Sequence, residues 1–435
     1  MKEREIAFEI LMKTHYENGF ASDLLKNLEV SGDHQKEIGF VKRLVYGVLE
    51  EQKALDYFIR EYSSIPIEKI DREILEILRI SIYQYLFLDK VPEYAIVNEA
   101  QELTQKYSKD QSKSFVNGLL RNIIRDEISK SDIRLKNKWT RLEVEYSVSK
   151  DLLDFLRKNY SDKTIKKILK SYNYSSDTMI RINRSKISKE ELMKSLREEG
   201  FLIREHEEID SVLIIENSFA LTKTDAFQKG YFTIQDASSV LSAFFANPGK
   251  DMKVLDLCAA PGSKTCQMAE IMENTGSITA NDVYKNKLHF IEENAKRMGA
   301  SNISTTSWDG TIFKAEWEKN FDLVLLDAPC SGTGIIAKKP EIKLRRSKEE
   351  IENLMERQRL LIDQAVKYVK KGGYLLYSTC SILSGENEDQ RDYILKHYNV
   401  EAQPLFYKGG ERDYLKIMPY EKDQDGFFIA KFRKL

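Results

Sequence analysis

The sequence predicts three domains of different fold class: an all-α domain over residues 1–135, a small α+β domain over residues 140–245 and a doubly wound α/β domain over residues 248–435. Three observations predict this order. Apolar residues recur at helical spacing through the first segment, a strand, a helix and two more strands follow in the second, and buried strands alternate with helices in the third. A length of 435 residues agrees with about three domains of ordinary size.

The composition is that of a soluble globular protein. Charged residues make up 31% of the chain, hydrophobic residues 42%, and the formal net charge is −1, which excludes an intrinsically disordered chain. No apolar run approaches the roughly 18 residues of a transmembrane helix, and the amino-terminal string MKEREIAFEILMKTHYENGF lacks the apolar core of a secretory signal. We therefore expect a cytoplasmic protein that acts as a monomer and has no membrane partner.

The amino-terminal segment is predicted to be helical throughout. In FVKRLVYGVLEEQKALDYFI, apolar residues recur three and four positions apart, as they do on one face of a helix. The string DREILEILRISIYQYLFL is so densely apolar that it predicts a buried central helix. Pro92 and the string SFVNGLLRNII interrupt the segment but do not introduce the alternation of a strand.

The middle segment begins with TMIRINRSK, which alternates like a strand. Ser188, with Glu191 three residues later, forms a capping box that predicts a helix start, and Gly200 is the predicted stop. FLIREH and VLIIEN continue the strand alternation, so we expect a small α+β domain. The later string GYFTIQDASSVLSAFF is predicted to lead from this domain into the last one.

The last segment has the alternating pattern of a doubly wound α/β domain. Apolar strand candidates are separated by helices, and FFIAKF adds a late strand; the five earlier candidates are KVLDLC, SITAND, NISTTSWD, FDLVLLDAP and GGYLLYSTC. A helix is predicted to run from Ser347 to Gly372, with apolar residues at helical spacing. The sheet order 3-2-1-4-5 expected for such a fold sets the fourth and fifth strands side by side.

A loop of small residues follows the first of these strands. The run Ala259-Ala260-Pro261-Gly262-Ser263-Lys264-Thr265 leads into a helix, so a ligand can approach backbone N–H groups at the carboxyl edge of the sheet. The run has neither the Gly-x-Gly-x-x-Gly nor the Walker spacing, which disfavours a pyrophosphate or triphosphate ligand.

Acids end the next two strands. Asp282 lies about 20 residues past Gly262, where ribose hydroxyls are usually held, and Asp309 ends the third strand. Each acid alone is explained equally well as a turn or a helix cap. Together with the loop, the acids favour a nucleoside without phosphates, and S-adenosylmethionine is the natural candidate.

Two of the four cysteines follow the two strands that are predicted to be neighbours. Cys330 closes the string DAPC after the fourth strand, and Cys380 lies in YSTCS after the fifth. A thiolate that adds to C6 of cytosine makes C5 nucleophilic, and a second group can then help the C5 proton to leave. Asp327 could hydrogen-bond the N3/N4 edge of the ring. An ordinary thiol is only a few per cent thiolate at pH 7, and the sequence does not show what activates it.

Three other interpretations of this cysteine pair remain: two core cysteines, a disulfide, or a metal pair. Core burial is the default for any single cysteine, and a disulfide is uncommon in a cytoplasmic protein. The sequence has no Cys-x-x-Cys pair, and its five histidines are not spaced as zinc ligands are, so we predict no metal. We assign Cys258 and Cys266 to packing.

The near-zero net charge weighs against a generally basic nucleic-acid binder, so any RNA contact must be local. Basic residues cluster in two places, and for both a solvated surface is the alternative to RNA binding. One cluster follows the Cys330 loop and gains weight from that position, and the other lies between the first two predicted domains. Their members are, in that order, Lys338, Lys339, Lys343, Arg345 and Arg346, and Arg134, Lys136, Lys138 and Arg141.

Several strings resemble known families. RLVYGVLEEQKALDYFI, LRISIYQYLFLDKVPEYAIVNEAQEL and FVNGLLRNII resemble the NusB-type RNA-binding helical domain, and DLCAAPGSKT, DAPCSGTG and YSTCSI resemble the motifs of RNA cytosine-C5 methyltransferases. The whole chain therefore resembles the Sun/Fmu family of NusB-domain-containing RNA cytosine-C5 methyltransferases. This resemblance implies a class I, Rossmann-like methyltransferase domain, S-adenosyl-L-methionine as cofactor, 16S ribosomal RNA in the small-subunit precursor as partner, and C5 of a cytosine as acceptor.

The resemblance also implies roles for single residues. Cys380 is implied as the nucleophile that bonds to C6, and Cys330 as the thiol that aids product release. The implied cofactor residues are Cys258, Ala259, Ala260, Pro261, Gly262, Ser263, Lys264, Asp282, Asp309 and Asp327. The family loop often has Gly-Gly-Lys where this chain has Ser at position 263, a departure that we expect to be tolerated.

Other functions stay open at this point. The same chemistry on transfer RNA or at another ribosomal site is one alternative, and a non-catalytic RNA-binding assembly factor is another. The helical domain could also pack on its neighbour without binding RNA, because a domain fold does not fix a function.

Overall fold

The computed structural model describes residues 2–17, 19–25, 35–109, 111–173, 177–216, 218 and 220–435. The chain divides into two compact units, Met1–Tyr174 with Ile336–Ser347, and Ser175–Ile335 with Lys348–Leu435. The three predicted domain boundaries stay predictions, because a division into two units does not fix three domains.

The first unit is helical, as predicted. Its longer helices are α1 Lys2–Tyr16, α2 Gln35–Tyr62, α3 Arg72–Phe87, α4 Glu93–Tyr107, α5 Ser112–Arg125, α6 Lys138–Glu145, α7 Lys150–Asn159 and α8 Asp162–Ser171. Helix α3 is the predicted central helix, and Ile77, Leu78 and Ile82 on it are fully buried in the core. No strand occurs among the described residues of this unit.

The buried helix α3 also carries charge, which its neighbours neutralise. Arg79 donates to both carboxylate oxygens of Asp56 at 2.7 and 2.8 Å and to Glu76. His15 Nδ1 lies 2.9 Å from the same Glu76 carboxylate. Although burial alone would raise the pKa of Glu76, His15 and Arg79 lower it to about 2. The ion cluster therefore joins α1, α2 and α3 through the centre of the unit.

The segment Ile336–Ser347 belongs to this helical unit although it lies between strands of the other unit in the sequence. Lys343 is fully buried, and its Nζ donates to Glu50 O at 2.8 Å, Tyr146 O at 3.1 Å and Asn173 Oδ1 at 2.9 Å. Lys343 O accepts from Ser149 N at 2.8 Å. Lys343 thus uses its charge inside the unit, so neither interpretation of this residue, a solvated surface or an RNA contact, is correct.

Arg345, two residues further on, is also engaged within the unit. It donates to the carbonyl oxygens of Thr14 and Gly19, the second at 2.7 Å. Its guanidinium carbon lies 5.4 Å from the centroid of the Phe20 ring, and Lys339 Nζ lies 4.9 Å from the same centroid. The basic run after the Cys330 loop therefore holds part of the helical unit together.

The second unit contains the predicted small α+β domain. Its elements are β1 Thr178–Ile182, α9 Lys189–Glu198, β2 Ile203–Glu205, β3 Val212–Ile215, α10 Asp225–Gln228 and β4 Phe232–Ile234. The strands form an antiparallel sheet in the order β2-β3-β1-β4. The capping box of Ser188 and Glu191 is present, and Gly200 follows α9 with φ +89°. The string GYFTIQ, predicted as a connection, also contributes β4.

The same unit contains the predicted doubly wound domain. Its strands are β5 Lys253–Asp256, β6 Ser277–Asn281, β7 Ile303–Thr306, β8 Phe321–Asp327, β9 Val369–Thr379, β10 Val400–Gln403, β11 Leu405–Tyr407, β12 Gly410–Arg412, β13 Leu415–Ile417 and β14 Phe427–Lys434. Its helices are α11 Ala237–Ala246, α12 Ser263–Ile271, α13 Leu288–Met298, α14 Lys348–Tyr368 and α15 Glu388–His397. Strands β7-β6-β5-β8-β9 are parallel, which confirms the order 3-2-1-4-5, and β14 adds antiparallel to β9.

The junction between α14 and β9 differs from the prediction. The helix ends at Tyr368, and the strand already begins at Val369, which pairs with Phe321. The pairing then shifts register, and Gly372 adopts φ +81° within the shifted stretch. A strand with such a bulge has no clean alternation, which explains why the sequence pattern placed the start at the glycines.

No helix among the described residues is both long enough and apolar enough to span a bilayer.

Candidate active site

The predicted cofactor loop connects β5 to α12 at the carboxyl edge of the large sheet. Within it, Gly262 N donates to Ala259 O at 2.7 Å, and the bond between Ala260 and Pro261 is cis. Gly262 has φ +97°, and a Cβ there would lie 3.1 Å from Ile291 Cα. Both the backbone conformation and the closeness of α13 therefore favour glycine at this position.

Asp282 and Asp309 lie at the ends of β6 and β7, as predicted, but their contacts differ. Asp282 accepts from the cofactor loop through Ala260 N at 3.2 Å and from Tyr284 N at 3.0 Å. Asp309 accepts from the backbone N and the hydroxyl of Thr311 at 3.0 and 2.8 Å, and the first of these bonds lowers its pKa. Asp282 thus fixes the loop, whereas Asp309 has the geometry of a turn cap and its cofactor role stays a prediction.

A third acid at this edge, Asp256, was not predicted from the sequence. Its side chain is buried at the end of β5, where Oδ2 accepts from Thr265 Oγ1 at 2.7 Å and Oδ1 has no hydrogen-bond partner among the described residues. Burial raises the pKa of Asp256 to about 7, and the charges of Asp327 and Asp282 add to this effect. Because Asp256 ends the apolar string KVLD, only its position before the loop could have indicated a site.

The charges around the loop suit the cofactor that was predicted. Asp256, Asp282 and Asp327 all act on the Cys258 thiol, whose pKa is raised first by its burial and then by these carboxylates. Three carboxylates repel a phosphate but favour a ligand that carries a sulfonium, an ammonium and ribose hydroxyls. An unpartnered oxygen on buried Asp256 leaves an acceptor for such a ligand.

We expect Asp256→Asn to stabilise the cofactor-free protein in a pH-dependent way. Because the folded pKa of about 7 exceeds the ordinary value of about 3.9, wild-type stability falls as the pH rises from about 4 to 7. The variant does not titrate, so its advantage should be near zero at pH 4 and reach up to about 4 kcal/mol at pH 8. Urea unfolding across this pH range measures the effect.

Asp322→Asn is the matched control for this prediction. Although burial raises the pKa of Asp322, its bonds with Lys370 and Lys253 leave that pKa lowered. Removing its charge should therefore reduce stability above about pH 4, the opposite sign. An Asp256→Asn variant without any gain in stability at pH 8 would contradict the burial argument.

The structure brings the two predicted sulfurs together. Strands β8 and β9 pair in parallel with Asp327 opposite Ser378, and Cys330 Sγ lies 3.3 Å from Cys380 Sγ. Both thiols are half-buried and free, so the structure has no disulfide here. In the part of the chain that the structure describes, no group of three or more His, Cys, Asp or Glu could hold a metal ion.

The neighbouring sulfur affects the pKa of the Cys330 thiol. The hydrogen bond to Cys380, followed by burial, raises the pKa of Cys330 well above its usual range. The Cys330 thiol therefore ionises less readily than an ordinary thiol, and the two sulfurs are within hydrogen-bond distance with either one able to donate.

Asp327 and Lys264 form an ion pair next to these sulfurs. Lys264 Nζ donates to Asp327 Oδ2 at 2.7 Å, and Ser378 Oγ donates to Asp327 Oδ1 at 2.7 Å. Although burial would lower the pKa of Lys264, Asp327 and, to a smaller extent, Cys380 raise it. The Lys264 cation thus interacts with both the carboxylate and the sulfur.

A buried polar cluster under the two cysteine loops was missed by the sequence reasoning. Glu386 is fully buried and accepts from Ser331 N at 2.7 Å, Ser331 Oγ at 2.5 Å and Gln358 Nε2 at 3.1 Å. Gln358 also donates to Pro329 O at 2.9 Å. These bonds hold the loop of Cys330 against the chain that follows Cys380, so they fix the distance between the sulfurs.

Cys258 and Cys266 lie in packed surroundings, as predicted. Cys266 is buried beside Ala295 and Met298, and burial raises its pKa to about 11. Cys258 packs against the core on the other side of the loop. Neither thiol therefore ionises readily, and Cys258 is half-buried within the cofactor loop.

Three family descriptions match successive parts of the chain. The NusB family matches residues 1–125, an RsmF/B-like methyltransferase ferredoxin-like domain matches residues 150–222, and 16S rRNA methyltransferase RsmB/F matches residues 243–433. These descriptions agree with the helical, small α+β and doubly wound parts of the fold.

Whole-chain relatives give the same picture. The chain is 33% identical over 449 residues to the probable ribosomal RNA small subunit methyltransferase B of Bacillus subtilis, covering 99% of this chain and 98% of the relative. It is 30% identical to the protein of the same name from Synechocystis, covering 91% of each. The crystal structure of PH0851 has a TM-score of 0.85 at 26% identity, covering 99% of this chain and 98% of that one. A methyltransferase homolog protein from Pyrococcus horikoshii has a TM-score of 0.60 at 30% identity, covering 69% of this chain and 100% of its own.

Proposed function

Because this chain belongs to the ribosomal RNA small subunit methyltransferase B family, we propose that it methylates C5 of a cytosine in 16S ribosomal RNA through a covalent cysteine adduct. The observation that carries this proposal is the contact between the two sulfurs, 3.3 Å apart, at the sheet edge that also holds the cofactor loop. A methyltransferase that does not activate its acceptor carbon covalently has no need for a second thiol there.

S-adenosylmethionine, the cofactor of this family, supplies the methyl group when it is bound. We propose that the loop 258–264 and Asp282 hold it, with Asp309 and Asp327 as further predicted contacts. The backbone N–H groups at the start of α12 and the three carboxylates around the loop support this placement. Lys264 Nζ lies 2.7 Å from Asp327 Oδ2, so the Asp327 carboxylate neutralises part of the positive charge of Lys264.

The first step is proposed for Cys380. Its sulfur attacks C6 of the cytosine, a bond forms between Sγ and C6, and the electron pair of the C5–C6 double bond becomes available at C5. The Cys330 sulfur lies 3.3 Å from this sulfur, where its thiol can donate, and the Lys264 cation interacts with Cys380; we propose that both contacts favour the attacking thiolate. These two contacts are the proposed source of the activation that the sequence left open.

Asp327 is proposed to hold the base during this step. Its two oxygens accept from Lys264 and Ser378, but a carboxylate has about four acceptor sites. One of the remaining sites can accept from the N4 amino group or from a protonated N3 of the ring. Because Lys264 and Ser378 fix the carboxylate, this contact needs no reorganisation when charge develops.

The second half of the reaction is proposed for Cys330. After C5 is methylated, Cys330, as the thiolate that forms once its own proton has passed to solvent, accepts the C5 proton. The electron pair of the C5–H bond then forms the C5–C6 double bond, the bond between Sγ and C6 breaks, and Cys380 leaves as a thiolate. Cys330 lies 3.3 Å from the attacking sulfur, and Glu386 and Gln358 hold its loop in place. The thiol is therefore near the ring carbon that carries the proton.

Bisulfite sequencing tests the proposed function directly. In 16S ribosomal RNA from cells that contain this protein, we expect one cytosine to resist conversion, and in cells that lack it the same cytosine should convert. Re-expression of the wild type should restore resistance. An unchanged 16S pattern with a changed transfer RNA or large-subunit position would move the same chemistry to another substrate.

Calorimetry separates catalysis from a pure assembly function. We expect the purified protein to bind S-adenosylmethionine, whereas a non-catalytic RNA-binding factor has no reason to do so. Absence of both binding and any methylated position would contradict the proposal.

A further inference from the structure

A basic cleft lies in the helical unit, among residues that the proposed chemistry does not use. Its volume is about 700 Å³, and five of its lining residues are cationic: Lys130, Lys138, Arg141, Lys166 and Lys170. Lys138 and Arg141 lie three positions apart on α6, and Lys166 and Lys170 lie four positions apart on α8. Each pair therefore projects from one face of its helix, and the two faces line the same cleft. Only Lys138 and Arg141 belonged to a cluster that was visible in the sequence.

The protein neutralises only part of this charge. Lys130 Nζ lies 2.6 Å from Glu51 Oε2, and Lys138 pairs with Asp162. Arg141, Lys166 and Lys170 are exposed, and no ion pair joins them to any described residue. One acid, Glu145, is among the described lining residues. Since the whole chain has a net charge of −1, this concentration of positive charge is local.

The shape of the cleft indicates which anion fits. A cavity of about 700 Å³ is within the range of ligand sites and is much larger than a single phosphate or carboxylate. Cations that face one another from two helices suit a chain of negative charges that passes between them. A concave site of this kind fits a nucleic-acid strand better than the flat surface of a bilayer.

We propose that this cleft binds the sugar-phosphate backbone of the RNA substrate. Arg141, Lys166 and Lys170 contact phosphates, because no acidic side chain in the described part of the chain has to release them first. Contacts to phosphates fix the position of the RNA without selecting its sequence. The inference rests on the proposed function in one respect: that function supplies RNA as the polyanion.

The test is the salt dependence of RNA binding by the full-length protein. The probe is a 16S ribosomal RNA fragment that contains the methylated position, with a second fragment of unrelated sequence. Lys166→Ala and Lys170→Ala should each reduce the slope of log K against log salt concentration by about 0.7 to 0.9, and the double variant by about twice as much. Both RNA fragments should lose affinity to the same extent, as expected for backbone contacts.

Lys167→Ala is the matched control. Lys167 is exposed on the same helix, next to Lys166 in sequence, but does not line the cleft, since successive residues of a helix are turned by about 100°. Its variant should keep the wild-type slope. All variants should also keep the wild-type thermal midpoint and the wild-type affinity for S-adenosylmethionine, because the substituted side chains are exposed and lie outside the proposed cofactor residues.

The outcomes distinguish this proposal from the proposed function. If the wild type methylates RNA and the Lys166 and Lys170 variants keep the wild-type slope, the cleft assignment is wrong and the catalytic proposal stands. If the variants lose binding to anionic phospholipid vesicles but not to RNA, the cleft assignment is also wrong. If the wild type binds no RNA, both proposals fail.

Discussion

Replacement of Cys380 with alanine is expected to lower methyl transfer to RNA by about 10⁴-fold or more. Loss of a covalent nucleophile removes the reaction path itself, and effects of this order follow such substitutions in other enzymes. The remaining residues cannot activate C5, because S-adenosylmethionine requires a nucleophilic carbon as acceptor. Single-turnover transfer of a labelled methyl group, at saturating cofactor and RNA, measures the chemical step without product release.

The control for this prediction is Cys266→Ala. Cys266 is buried beside Ala295 and Met298, so this variant loses a thiol without changing the sulfur pair, and its activity should be within a few-fold of the wild type. Cys380→Ala should still bind S-adenosylmethionine, because Cys380 is outside the proposed cofactor residues. If Cys380→Ala retains activity within tenfold of the wild type, another group attacks the ring, and Cys330 becomes the first to test.

The parts of the fold that depend on local patterns were predictable from the sequence. The apolar strand strings, most of them separated by helices, predicted a doubly wound fold and with it the order of the parallel sheet, in which the carboxyl ends of neighbouring strands lie together. This placed Asp282, Asp327, Cys330 and Cys380 at one edge before any geometry was available. Strand β4 and the early start of β9 were not predicted, because a three-residue strand and a bulged strand show little alternation of apolar and polar residues.

The buried charged residues were not predictable in this way. Glu386 lies in the polar string SGENEDQ and Lys343 in the basic string KLRRSK, and both strings are typical of a solvated surface. Their partners are far away in sequence: Glu386 accepts from Ser331, 55 residues away, and Lys343 donates to Glu50, 293 residues away. A buried charge is stable only when such partners are in place, so the tertiary structure has to be known first.

The basic cleft was missed for a different reason, because its lining residues come from separate parts of the sequence. In the sequence, Lys138 and Arg141 belong to one basic cluster, which was not connected with Lys166 and Lys170, some 25 residues later. Helices α6 and α8 bring the two pairs to one cavity. A basic cluster that sequence places in a linker can therefore be one wall of a site whose other wall comes from the next helices.

Replacement of Cys330 with alanine is expected to trap the enzyme on its RNA. The hydrogen bond from Cys330 to Cys380 is the largest cause of the raised pKa of Cys330. Once Cys380 is bonded to C6, its sulfur carries no charge and this cause disappears, so the Cys330 thiol loses its proton more readily. A group that is available as a thiolate only after the adduct has formed is suited to accept the C5 proton and not to compete in the first step.

We therefore expect a covalent protein–RNA band of lower mobility on a denaturing gel for Cys330→Ala, and little or none for the wild type. The band should require S-adenosylmethionine if proton removal after methylation is the blocked step, and it should form without the cofactor if Cys330 acts earlier. The double variant Cys330→Ala/Cys380→Ala is the decisive control, because it lacks the sulfur that bonds to the ring and should give no band. A band in the double variant would assign the adduct to another residue, and its absence in Cys330→Ala would remove Cys330 from product release.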